Sequence, residues 1–183
     1  MNPNDFIKNI ISDVRVDLTE EFDRNFERKA FFDKKWRGTN LPNQRGSLLM
    51  RSGKLRRSII SKQSGTQVGW SSSLPYATIN NEGGEITVTE KMKSFFWAMY
   101  YKSSNAIVFN VRKKAAANTT RNRKLSAEAQ QWRNLALQKV GSKMKIEQRQ
   151  FIGDHPIVRQ RTEDIIGANF NELQTYFYSK LKK

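Results

Sequence analysis

His155, with Asp154 before it, is the one imidazole in this chain, so general-base chemistry is the first to weigh. Such a base needs a nucleophile within hydrogen-bond reach and a carboxylate that orients its second nitrogen. Two adjacent residues do not make that arrangement. Placed beside Pro156 at the start of a predicted helix, His155 reads as a capping or surface residue, and His155→Ala is expected to leave stability nearly intact. Glu82 and Glu85 flank Gly83-Gly84 in the one acidic stretch with the look of a site loop. A turn with solvated carboxylates explains them better. Gly83-Gly84 lacks the Lys-Ser/Thr of a phosphate loop, does not fit the dinucleotide fingerprint, and no Gly-x-Ser-x-Gly elbow occurs. With no cysteine and one histidine, disulfides, Cys-ligated zinc, iron–sulfur clusters, thiol nucleophiles and two-histidine sites are excluded. No catalytic residue, cofactor or metal site is expected, and the chain reads as a non-enzyme.

Charge is the stronger signal. Over 183 residues, 33 Lys and Arg stand against 17 Asp and Glu, a formal net charge of +16. A balance this basic points to an acidic partner such as nucleic acid, an acidic protein or a membrane face. The charge is segregated. From Lys34 to Asn81 there is no acid, and the bases include Arg45, Arg51, Arg56 and Arg57. A second acid-free run, Ser103 to Ala127, carries Arg112, Lys113, Lys114, Arg121, Arg123 and Lys124. These bases, with Arg51, Arg56 and Arg57, are the candidate contacts to DNA or a partner. Acids collect toward the ends, from Asp13 to Asp23 and from Asp154 to Glu172.

The elements that must position these groups follow from periodicity. Phe6, Ile10, Val14, Leu18, Phe22 and Phe26 recur every four residues and predict a helix over 5–30, capped by Asn4 or Asp5. A step of four overshoots the 3.6-residue turn, so the stripe drifts around the helix. Residues 33–50, with Gly38, Pro42 and Gly46, predict a loop in which Trp36 plugs the core. Ser52 is placed to cap a short helix from about Gly53, with Leu55 and Ile59 on its buried side. Leu55→Asp or Ile59→Asp should unfold the protein. A hairpin turns at Ser64-Gly65-Thr66, and Tyr76 to Ile79 is a helical turn before Gly83-Gly84. Strands are expected at Glu85–Val88, Ile107–Val111 and Lys143–Glu147. Thr89 caps a helix to about Lys102, whose Phe95, Phe96, Trp97, Tyr100 and Tyr101 form the candidate subunit interface. Helices over 125–140 and from Asp154 to Lys180 complete the reading. Between them, 103–124 forms a basic insertion whose part from Lys113 to Lys124 is expected to be mobile in the free subunit. The fold class is α+β, an antiparallel sheet of about four strands packed with long N- and C-terminal helices, as one domain over 1–183. No stretch approaches the length of a membrane span, and no membrane partner is expected.

One ordered set of residues is more specific than composition. It comprises Arg24-Asn25-Phe26, Lys35-Trp36, Leu49-Met50-Arg51-Ser52-Gly53-Lys54-Leu55-Arg56-Arg57-Ser58-Ile59 and Val68-Gly69-Trp70. Tyr76-Ala77-Thr78-Ile79-Asn80-Asn81-Glu82-Gly83-Gly84 follows, and Arg149-Gln150-Phe151-Ile152-Gly153 closes it. The order resembles the phage virion morphogenesis proteins, the tail completion family of the phage Mu type, over about residues 20 to 170. Two places depart from that pattern: the long basic segment 103–124, and Gln150 where the family often has proline. The resemblance implies a virion protein at the head–tail junction, made in the host cytoplasm and acting as a homo-oligomeric ring, usually sixfold, around the DNA channel. A monomer in the free state is compatible with such a role. It implies tail tube and head connector proteins as partners, and contact with packaged DNA is compatible with the charge. Without the resemblance, the residues also allow a sequence-independent nucleic-acid-binding protein of a mobile element, or an enzyme such as a nuclease.

Overall fold

The computed structural model describes residues 3–38 and 47–181. Pro42, Arg45 and Gly46 of the predicted loop, and the side chain of Asn4, lie outside the described residues. In chain order the elements are α1 (Pro3–Arg28), β1 (Ala30–Phe31), β2 (Lys34–Lys35), α2 (Lys54–Arg57), β3 (Ile59–Ser64), β4 (Gln67–Ser72) and α3 (Ala77–Glu82). Then come β5 (Gly84–Thr87), α4 (Glu90–Asn105), β6 (Phe109–Asn110), β7 (Ala115–Ala116), α5 (Thr120–Ala136), β8 (Lys143–Ile146) and α6 (Pro156–Leu181). The fold is mixed α+β with long terminal helices. The strands do not join into one four-stranded sheet. Among the described residues they form four separate antiparallel pairs, β1–β2, β3–β4, β5–β8 and β6–β7. The chain divides into two compact units. Unit 1 takes the described residues 3–37, 47–82 and 148–181, and unit 2 takes Gly38 and 83–147.

Unit 1 is organised by α1. The four-residue step of its apolar stripe turns the buried side by about 40° at each step, so its two ends meet different partners. At the N-terminal end Phe6 packs edge-on against Phe170 of α6, ring centroids 5.3 Å apart. Further along, Arg161 donates to both Asp17 oxygens at 2.8 and 2.6 Å, which fixes α6 antiparallel to α1. In the second half Leu18 and Phe22 bury against Phe31 and Phe32 of the tight β1–β2 hairpin. Phe26 reaches the core cluster of Trp36, Leu55, Ala77 and Phe151.

Two polar groups hold this core together. Asn25 is fully buried; its Oδ1 accepts the Phe32 N–H at 3.0 Å and its Nδ2 donates to the Phe151 carbonyl at 3.2 Å. Phe32 sits at φ 53°, a left-handed conformation that costs a non-glycine residue energy. The buried asparagine holds it there. Trp36 plugs the core as expected, with its Nε1 donating to the Gln150 carbonyl at 2.6 Å. The β1–β2 hairpin has no Gly or Pro and carries left-handed Lys29 and Phe32, so the turn signals of the sequence did not reveal it.

The β3–β4 hairpin forms where expected and turns at Gly65-Thr66, with Ser64 opposite Gln67 and Ile59 opposite Ser72. In the short α2 the N-cap is Gly53 at φ 67°, and Ser52 Oγ accepts the Lys54 N–H at 3.4 Å rather than capping further in. A Cβ at Gly53 would lie 2.7 Å from the Arg57 guanidinium.

Unit 2 is built in three tiers. At its base β5 pairs with β8, and Val88 is buried where its N–H donates to Ser142 and its carbonyl accepts from Gly141, both at 2.9 Å. Above it α4 and α5 pack as a helical hairpin around Phe96, Trp132 and Ala136. Thr89 caps α4 as expected, accepting the Met92 N–H at 3.2 Å. At the far end β6 and β7 form a two-residue ribbon. The 16 residues of α4 span about 24 Å at 1.5 Å per residue, and that length separates the ribbon from the base.

Candidate interaction surfaces

The predicted contact residues divide between the two units, and the structure treats them differently. Arg56 leaves the candidate set. It reaches α1, where it makes a bidentate pair with Asp23 and donates to Glu27 at 2.8 Å. The Asp23 hydrogen bonds, reinforced by Glu27, hold its guanidinium more firmly protonated than an ordinary arginine. An arginine so occupied is part of the scaffold. The acid-free window from Lys34 to Asn81 concealed this, because both carboxylates lie in a distant part of the chain. Arg57 is exposed but donates to the Ser52 carbonyl at 2.9 Å. Arg51 is exposed and lines a cleft of about 280 Å³ with Leu49, Ser52, Lys54, Leu55, Tyr76 and Asn80.

A wider cleft of about 560 Å³ runs between α1 and β3 in unit 1, lined in part by Arg15, Thr19, Glu20, Asp23 and Ile59. The sequence did not mark it. Its carboxylates are occupied, Glu20 by Arg24 and Asp23 by Arg56. Thr19 Oγ1 accepts the Trp70 Nε1–H at 2.9 Å and donates to the Arg15 carbonyl at 2.6 Å. That wall can hold a polar chain but offers no base or nucleophile poised for reaction. Among the described residues no cluster of three His, Asp or Glu side chains could hold a metal ion.

His155 does cap α6, with Nδ1 accepting the Ile157 N–H at 3.2 Å. The expected surface position is corrected. Its ring stacks on Phe32 at 4.9 Å, meets Phe31 edge-on, and places Nε2 3.0 Å from Asp33 Oδ1. It is a packed residue. Asp154 pairs with Arg159. That hydrogen bond outweighs the opposing effect of desolvation and keeps the Asp154 carboxyl below its ordinary range.

The other predicted contacts gather at the tip of unit 2. Arg112, Lys113 and Lys114 occupy the turn between β6 and β7, and all three are exposed. The segment read as loop through Lys124 enters α5 at Thr120, so Arg121, Arg123 and Lys124 stand in the first turns of a helix. Thr119 caps that helix, accepting the Asn122 N–H at 3.1 Å. Buried Asn122 then fastens the ribbon. Its Oδ1 accepts the Val108 N–H at 3.1 Å, and its Nδ2 donates to the Val108 and Ala117 carbonyls at 2.7 Å each. The sequence hid this tie, because an asparagine amid arginines and alanines looks like loop.

The candidate subunit interface on α4 is partly internal. Phe96 is buried, stacked on Trp132 at 6.1 Å, and belongs to the unit 2 core. Trp97 and Tyr100 are half-buried against the same cluster, while Phe95 and Tyr101 remain exposed. A larger apolar surface lies on α6, which buries no residue fully and exposes Phe170, Tyr176, Phe177, Tyr178 and Leu181.

No described helix is long and apolar enough to cross a membrane. Comparison with protein-family models, curated proteins and solved structures finds no match to this chain.

Proposed function

We propose that the chain is a structural, non-enzymatic virion protein of the phage tail-completion type. It closes the finished tail and joins it to the head as one subunit of a ring around the DNA channel. One observation carries this reading. Five of the six ordered sequence pieces that resemble the family send a residue into a single core cluster, and the sixth, Val68-Gly69-Trp70, packs Trp70 against the cluster of Leu18, Phe22, Phe31 and Phe32. Arg24-Asn25-Phe26 contributes Phe26, Lys35-Trp36 contributes Trp36, and the Ser-Gly-x-Leu stretch contributes Leu55. Tyr76-Ala77 contributes Ala77, and Arg149-Gln150-Phe151 contributes Phe151. Asn81 of the Asn-Asn pair accepts the Phe151 and Ile152 N–H groups at 2.9 and 3.1 Å. Residues scattered over 126 positions thus serve one scaffold, as an inherited motif set would.

The exposed rings and Leu181 on α6 favour a neighbouring copy as partner, since large apolar patches on a surface mark interaction sites. The tail tube and head connector proteins are the other partners of this reading. Cryo-electron microscopy of the virion neck tests it. The expected result is several copies of the chain arranged around the channel; a single copy, or a position away from the channel, overturns it.

A further inference from the structure

Ion pairing sorts the basic residues of the two units. In unit 1, Arg24, Arg28, Arg56, Arg159 and Arg161 each hold a carboxylate. In unit 2, residues 83–147 contain 13 Lys and Arg against 4 Glu, a net charge of +9. Between Glu90 and Glu128 there is no carboxylate side chain at all. The nearest carboxylate along the chain is Glu128, one turn beyond Lys124 on α5, where it accepts the Trp132 Nε1–H at 3.2 Å; the other five cations of the tip have none within a helical turn of them in the sequence.

They are also held in place. The ribbon is pinned to α5 by the three hydrogen bonds of Asn122 and by Ala117 N–H to the Val108 carbonyl at 2.9 Å. The turn is closed by Asn110 Oδ1, which accepts the Lys113 N–H at 3.1 Å. Backbone order at the tip lowers the entropy cost of presenting the charges to a ligand.

We propose that this tip is a docking site for the backbone phosphates of duplex nucleic acid, engaged through Arg112, Lys113, Lys114, Arg121, Arg123 and Lys124. Three features select that ligand. Phosphates offer the repeated, single-sign charge that an acid-free cation cluster matches. Half of the six cations are lysines, which are depleted in the cores of protein–protein interfaces. Phe109 is the one aromatic ring between Ser103 and Ala127, so the segment that carries the six cations offers no run of rings for stacking successive unpaired bases. Asn110 and Asn122 spend their amides on the tip itself, which leaves backbone contact rather than base reading as the mode of binding. The inference depends on the charge and geometry of unit 2 and stands apart from the virion reading. Absence from the neck would remove that reading, whereas the following experiment bears on the tip alone.

The test is fluorescence anisotropy of the full chain with a labelled mixed-sequence duplex of about 20 base pairs, between about 50 and 200 mM salt. Three triple variants are compared: R112S/K113S/K114S in the turn, R121S/R123S/K124S in the helix, and K34S/K35S/K62S as a charge-matched control on unit 1. Circular dichroism checks that each is folded. Wild type should bind with a slope of log affinity against log salt that loses about 0.9 for each phosphate contact removed. Each tip variant should make that slope shallower by about two to three and weaken binding at least tenfold, and the control should do neither. Because the turn variant lies outside any helix, it tests the site even if the helix variant loses structure. Equal losses in tip and control variants would overturn the proposal. So would a polyglutamate competitor that displaces as well as unlabelled duplex of equal charge, because the tip would then be an acidic-protein site.

Discussion

Asn25 and Phe151 stand 126 residues apart in the chain and meet in the core, where the Asn25 amide donates to the Phe151 carbonyl at 3.2 Å. The same side chain accepts from Phe32, so one residue of α1 fixes both the β1–β2 hairpin and the last segment before α6. Asn25→Ala should leave a buried N–H and a buried carbonyl without partners. The expected cost is about 2–4 kcal/mol, read from urea unfolding followed by tryptophan fluorescence. A cost under about 1 kcal/mol would mean that water reaches both groups.

His155→Ala should cost about 1–2 kcal/mol, because the ring leaves its stack on Phe32 and its contact with Asp33. This replaces the sequence expectation of a near-neutral change. Thermal melting of the variant decides between them, and an unshifted midpoint would restore the surface reading.

Glu21 sets an acid limit on unit 1. Burial pushes its carboxyl up, but the Arg28 hydrogen bond, the charges of Arg161 and Arg28 and the Arg24 hydrogen bond outweigh that and hold it below its ordinary 4.5. A carboxyl lowered in the folded state gives its stability in full above the unfolded pKa and loses it as pH falls through the folded one. The urea midpoint should therefore fall as pH drops below about 4.5. Glu21→Gln should be less stable at neutral pH and show a shallower acid limb. Identical acid limbs in the two proteins would assign the effect to other carboxylates.

Asn122→Ala should loosen the tip without unfolding unit 2. The Val108 N–H loses its acceptor, and the Val108 and Ala117 carbonyls lose a donor. Hydrogen exchange should accelerate from Val108 to Ala117 while amides around Phe96 and Trp132 stay protected. Uniform acceleration through α4 and α5 would show that Asn122 supports the whole hairpin.

Truncation after Asn171 should remove the rings at 176–178 and Leu181 at a stability cost within about 0.5 kcal/mol, because that stretch of α6 buries no side chain fully. Sedimentation velocity should show weaker self-association. Unchanged association would move the subunit contact elsewhere.

Local patterning made much of this molecule legible. The hairpin around Gly65, the cap at Thr89 and both terminal helices follow from periodicity and turn chemistry that act within a few residues. What escaped depends on contacts between distant segments. Nothing near Arg56 announces Asp23 or Glu27. Nothing in Phe95-Phe96 tells which ring is buried, because α4 acquires its buried side from α5. The expected four-stranded sheet failed for the same reason: each strand pair is locally sound, but only the packed chain decides whether pairs join. The start of α5 was missed because a cap at Thr119 and a buried amide at Asn122 outweigh a polar, basic composition.

The order of the two units along the chain also sets an order of events on the ribosome. Residues 83–147 form one uninterrupted run, so unit 2 can close as soon as it has emerged. Unit 1 is split, and its core waits for Phe151 and α6. At ordinary translation speed the 30 residues from Ile152 to Leu181 take roughly 2–6 s to add. During that interval Asp17 lacks Arg161 and Phe6 lacks Phe170, so the side of α1 that meets α6 stays open. The nascent chain then presents a finished unit 2 and an open, sticky half-domain. Chaperone capture should be strongest there, and it should end when the last helix docks on the first.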